Sequence, residues 1–171
     1  MKKTAILVAT GCALTLLNSC QTMNSAMVPS ARTSADDFDG SKIVRQEPVS
    51  SSSSLTEDWH TLGFDWNSRT PDKVFLTAGV RGTNNVFGLA FNVGGKLITA
   101  QPASLTTEYG PWSTRRFVVS YREFEIIATA PSVKMKVSGA NSYGVSSFGT
   151  STSAVVNAKF PGFLQQVRAA R

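Results

Sequence analysis

The sequence predicts an α+β fold: a β-rich, sandwich-like domain with one short internal helix and a C-terminal helix. Three observations lead there. From Leu55 onward, apolar and polar residues alternate with the two-residue period of half-buried strands. Clusters of Gly, Asn and Pro interrupt that alternation at short intervals, as turns between strands do. The period shifts to a helical one in only two places, after Arg122 and after Pro161.

The elements follow in order. Trp59 to Trp66 reads as the first strand, closed by Asn67, Ser68, Thr70 and Pro71. Lys73 to Arg81 sets Val74, Leu76, Ala78 and Val80 on one face and Lys73, Phe75, Thr77 and Arg81 on the other. Gly82 to Asn85 turns the chain into Val86 to Val93, and Gly94-Gly95, which accept positive φ, form a hairpin into Lys96 to Ala100. Gln101 to Ser113, with Pro102, Gly110 and Pro111, reads as a loop. Thr114 to Tyr121 is a strand with Phe117, Val119 and Tyr121 facing one way. In Arg122 to Ala130, Phe124, Ile127 and Ala128 fall at i, i+3 and i+4, a short helix ended by Pro131. Ser132 to Gly139 sets Val133, Met135 and Val137 against Lys134 and Lys136 and turns at Ala140 to Ser142 into Tyr143 to Phe148. A last helix starts near Pro161, with Phe163, Leu164 and Val167 inward and Arg168 and Arg171 suited to the C-terminal dipole.

Before this domain lie two segments of different composition. Lys2 and Lys3, the apolar stretch Ala5 to Leu17 and the small residues before Cys20 have the layout of an export signal over residues 1–19, too short to span a bilayer. Residues 20–54, rich in Ser and Thr and ending in the run Ser50 to Ser54, read as a flexible tether, with Asp36, Asp37 and Asp39 keeping it solvated. The globular domain is then expected over residues 55–171. Leu17-Asn18-Ser19-Cys20 resembles the lipobox of bacterial lipoproteins. The resemblance implies cleavage before Cys20 and a diacylglyceryl group on its thiol, so that lipid on Cys20 attaches the chain to a membrane. In enteric-type bacteria an Asp after the lipidated cysteine retains lipoproteins in the inner membrane. Gln21 stands at that place, which by the same resemblance implies the outer membrane, with the domain in the periplasm or at the cell surface.

Charge and residue inventory narrow the function. The chain carries +6; without Lys2 and Lys3 it has 15 basic and 11 acidic side chains. That modest excess suits an anionic lipid surface, a wall polysaccharide or an ordinary solvated face, and export argues against nucleic acid. Cys12 leaves with the signal and Cys20 takes lipid, so the domain holds no thiol and no disulfide. His60 is the sole histidine, so any Ser-His-Asp arrangement must use it, with Asp58 close by. A lone histidine on a strand is more commonly a surface or half-buried residue. No G-x-S-x-G or S-x-x-K motif occurs, and no His or Cys pair offers a zinc site. Asp65, Asn67 and Asp72 read as turn and cap residues rather than a calcium loop, because Arg69 occupies a ligand position.

The expectation is therefore a non-enzymatic envelope protein without cofactor or metal, which binds an envelope protein, peptidoglycan or anionic lipid. The candidate contacts are Tyr109 and Trp112, whose rings suit a sugar or else cover one end of the core, and Arg115, Arg116, Lys134 and Lys136, a basic face if their strands are neighbours. Two alternatives stand beside it: a wall- or lipid-directed hydrolase using Glu108, or Asp58 with His60, and an accessory lipoprotein of a secretion or conjugation machine.

Overall fold

The computed structural model describes residues 29–171, apart from Leu55, Glu57 and Asn141. Nine strands run in chain order as β1 (Arg32–Ala35), β2 (Lys42–Ser50), β3 (His60–Asn67), β4 (Lys73–Arg81), β5 (Val86–Val93), β6 (Lys96–Pro102), β7 (Trp112–Ser120), β8 (Val133–Gly139) and β9 (Tyr143–Phe148). Helix α1 (Tyr121–Thr129) joins β7 to β8, and α2 (Phe160–Ala170) follows β9 after a 3-10 turn at Val155–Ala158. Strands β4, β5 and β9 and the Gly94-Gly95 hairpin have the bounds the alternation predicts, with positive φ at both glycines.

The α+β architecture, mostly strand with a short internal and a C-terminal helix, is thus present. In place of a sandwich of two sheets there is one curled antiparallel sheet in the order β1-β2-β3-β4-β7-β6-β5-β8-β9. The corner is β6. Its Lys96–Ala100 pairs with β5, whereas Gln101 and Pro102 pair with β7, so one strand serves both halves. The predicted loop from Gln101 to Ser113 is correspondingly shorter, its ends belonging to β6 and β7.

A second departure concerns the tether. Residues read as its middle form β1 and β2, and β2 pairs with β3 from Ile43↔Asn67 to Ser50↔Thr61. Val44 and Val49 are buried on the inner face, and α2 clasps the start of β1: the Gln166 amide donates to the Ala31 carbonyl (2.6 Å), and the Thr33 hydroxyl to Gln166 Oε1 (2.7 Å). The folded domain therefore begins before residue 32 rather than at 55. Two features of β2 hide it from periodicity. Gln46 takes a buried position and its amide nitrogen donates to the carbonyls of Pro29 and Glu47, and Pro48 sits in a bulge that shifts the alternation.

The curl has two unlike ends. At one, where β3 and β7 finish, α1 and α2 close the interior. Phe64, Phe124, Phe160 and Phe163 meet there with ring centroids 4.8 to 5.7 Å apart, and Phe148 and Phe91 continue the cluster inward. Ser120 starts α1 with a capping box: its hydroxyl accepts from the Glu123 N–H while the Glu123 carboxylate accepts from the Ser120 N–H. This moves Tyr121 from the predicted strand into the first turn of the helix, where it is still buried. Among the described residues, no helix lies across the other end, where β3, β5, β7 and β9 begin and β2, β4, β6 and β8 finish.

Candidate functional site at the open end of the sheet

The open end gathers chemistry from segments far apart in sequence. His60, the first residue of β3, faces inward with Leu62 and Phe64 and is buried. Its Nδ1 lies 3.2 Å from the Ser146 hydroxyl of β9, which lies 3.4 Å from the Ser51 hydroxyl; Ser51 in turn donates to the His60 carbonyl. Asp58 completes the junction by accepting from the Val145 N–H through Oδ2 (3.0 Å). A side-chain carboxylate thus takes the place of a main-chain acceptor where β9 curls round to β3. The approach is close: a Cβ on Gly144 would stand 2.5 Å from His60 Nε2 and 2.9 Å from Asp58 Oδ2. Glycine is the residue that fits there.

Asp, His and Ser in one cluster invite comparison with a hydrolytic triad. Ser146 and Ser51 are each 0% exposed, so neither hydroxyl can reach a substrate carbon in this arrangement. The cluster acts as a polar clasp that joins the edge strand β9 to the start of β3. His60 is accordingly a buried structural partner and not the surface or half-buried residue expected from its isolation in the sequence.

Two clefts flank the Trp59-His60 step. One, of about 260 Å³, opens on the mouth between Asp58, Trp59, His60, Arg81, Asn84 and Tyr143. The other, of about 400 Å³, runs over the outer surface between Pro48, Ser50, the Ser52–Ser54 run, Trp59, Thr61 and Trp112. Trp59 belongs to both. The exposed apolar side chains concentrate at this end as well: Trp59 (52% exposed), Phe87, Leu105, Tyr109 (60%) and Tyr143 (64%) lie around it, against Phe38 and Leu97 near the helical end.

The residues singled out from sequence are dispersed by this topology. Strands β7 and β8 are separated by β6 and β5, so Arg115 and Arg116 do not share a basic face with Lys134 and Lys136. Arg115 and Arg116 also part from each other. The Arg115 guanidinium donates to the carbonyls of Val86, Ser104 and Leu105 and fastens the loop before β7. Arg116 points to the outer face, donates from Nη2 to both carboxylate oxygens of Asp65 at 2.5 Å and covers the Phe75 ring. Asp65 is consequently a strand residue with an ionic partner, not a turn residue. Lys134 and Lys136 project outward from β8, and Lys136 Nζ lies 4.1 Å from the centre of the Tyr143 ring.

Trp112 lines the outer groove, while Tyr109 stands largely in solvent and does not cap the core. Glu108 is exposed in the same loop, tied by its backbone to Thr114. Cys20 and the lipobox lie outside the described residues. The residues missed from sequence are Trp59, Tyr143, Ser51 and Ser146. The alternation puts Trp59 at the start of the first strand, but the residue immediately precedes β3. Comparison with protein-family models, with curated proteins and with solved structures gives no match, so the site rests on its own geometry.

Proposed function

We propose that the protein is a bacterial cell-envelope lipoprotein, held to the outer membrane by acyl chains on Cys20, whose curled β domain binds an envelope component at its open end without catalysis. The observation that carries this reading is the asymmetry of the domain. One end is sealed by α1, α2 and a phenylalanine cluster, while the other presents two clefts and most of the exposed aromatic surface. Contiguous exposed aromatics beside concave surface are what a binding site needs and what a solvated surface avoids. The enclosure of Ser51 and Ser146 supports a binding role over hydrolysis.

The fold shortens the arm that an anchor on Cys20 would have. With β1 starting at Arg32, eight residues lie between Cys20 and Pro29, nine steps with a reach of at most about 32 Å when fully extended. The domain is then held close to the lipid surface, not on the long arm that a tether of residues 20–54 would provide. Acyl chains contribute about 0.8 kcal/mol per buried methylene, so two or three make the attachment effectively permanent. No helix among the described residues is long and apolar enough to cross a membrane.

A photoreactive residue placed at Tyr143 in intact cells tests the binding role, with the same residue at Leu97 near the helical end as control. Discrete crosslinked adducts from position 143 and none from 97 are expected. Equal labelling at both positions, or none at either in protein that reaches the membrane, contradicts the assignment.

A further inference from the structure

We propose that the outer groove between Trp59 and Trp112 is a binding site for a neutral glycan chain. This rests on the envelope-binding reading above and gives it a ligand class.

The first argument is the sheet surface that continues the groove beyond Thr61. Thr61 on β3, Gly79 on β4 and Thr114 on β7 face one another across three adjacent strands. Gly79 carries no side chain, and a Cβ there would stand 2.4 Å from Thr61 Oγ1, so the surface dips between the threonines. Pro48 covers Gly63 in the same manner, its ring 2.9 Å from where a Cβ would lie, and raises one wall. Trp59 and Trp112 stand at the end of this trough. Trp112 pairs with Arg81 in the sheet, and Arg81 lines the mouth cleft rather than the groove.

The lining then selects among ligands. Among the described residues, two indoles are flanked by the hydroxyls of Ser50, Ser52, Ser53, Ser54 and Thr61, with Pro48, Val49 and His60 completing the wall and no Asp, Glu, Lys or Arg in it. An indole face takes the apolar C–H face of a pyranose ring, and a hydroxyl both donates and accepts, matching the equatorial hydroxyls at the ring edge. Several wall hydroxyls are already oriented: Ser52 donates to the Asp58 carbonyl (2.6 Å), and Ser54 lies 2.8 Å from the Thr56 hydroxyl. Each retains bonding capacity beyond that one contact. A phosphate or lipid headgroup finds no Lys or Arg among the described lining residues to pair with. A polypeptide finds no free strand edge, because β3, β4 and β7 each have neighbours on both sides. The volume, about 400 Å³, falls in the range of small-ligand clefts, roughly 300 to 1,000 Å³.

The location fits an envelope glycan. Pro29, the last described residue toward the anchor, accepts a hydrogen bond from Gln46, two positions before Pro48 of the groove wall. The groove thus lies near the point at which the chain leaves for the membrane.

The test is titration of the full mature, lipidated chain in detergent with two soluble neutral probes, a β-1,4-linked N-acetylglucosamine tetramer and maltohexaose, read by indole fluorescence. Two of the three tryptophans lie in the groove. Saturable change with the first probe points to a wall-type amino-sugar chain and with the second to a glucan; either supports the proposal. Trp112→Ala is expected to weaken binding about tenfold or more, and Trp59→Phe less, since it keeps an aromatic face. Leu97→Ala is expected to leave it unchanged. Unchanged fluorescence with both probes, or undiminished affinity in Trp112→Ala and Trp59→Ala variants that unfold as the wild type does, overturns the site. Chain that still incorporates labelled fatty acid and still crosslinks from position 143 would show that the ligand class had failed while the envelope reading stood.

Discussion

Among single residues, Glu123 does the most to fix where an element begins. Its carboxylate accepts hydrogen bonds from the Ser120 hydroxyl (2.7 Å) and the Ser120 N–H (2.9 Å), and these hold its pKa below the ordinary glutamate value. A carboxylate whose folded pKa is depressed adds stability above its unfolded pKa and loses it as pH falls through the folded one. Glu123→Gln is therefore expected to be less stable than wild type at pH near 7, and the difference should fade below about pH 4, measured by urea unfolding at both. A stability gap that persists unchanged in acid would contradict the capping role. The sequence exposes Ser120 and Glu123 at the right spacing for a capping box. The alternation of Phe117, Val119 and Tyr121 nonetheless drew the boundary one residue late, because a residue leaving a strand and one opening a helix can bury the same ring. The partners of His60 and Asp65 were not legible at all. Ser146 is 86 residues from His60, and Arg116 is 51 from Asp65, distances that only strand order closes.

At the scale of elements, local pattern sufficed wherever one face of a strand is uniformly apolar. That holds for β4, with Val74, Leu76 and Ala78 buried, and for β8, with Val133, Met135 and Val137 buried. It failed for β2, where Gln46 is buried and a bulge at Pro48 breaks the period, and so the whole strand passed for tether. The fold makes β2 indispensable. It shields the outer edge of β3, and Val44 and Val49 seal the inner face between β3 and α2. Deleting residues 31–51 is therefore expected to abolish cooperative thermal unfolding and to leave an aggregation-prone edge on β3. Deletion that left a sharp transition at the wild-type temperature would restore the longer tether and remove β1 and β2 from the fold. The same reasoning explains the dispersed basic face. Each strand was identified, but two strands rich in Arg and Lys lie apart because β5 and β6 intervene.

For the whole molecule, the sheet is a polarised object with a helix-sealed end and an aromatic open end. The polar clasp of Ser51, His60, Ser146 and Asp58 keeps the two halves of the curl in register at the open end, so both clefts depend on it. Composition and alternation could announce a β-rich domain, but not which end would be open, since that follows from where α1 and α2 dock. Placement in the envelope rests on Cys20, and the most direct measurement is growth of cells with labelled palmitate followed by membrane fractionation of wild type and Cys20→Ala. The account predicts label on the wild type, none on the variant, and loss of the variant from the membrane fraction. A Cys20→Ala chain that stays with membranes as the wild type does, or a wild type that takes up no label, would contradict it.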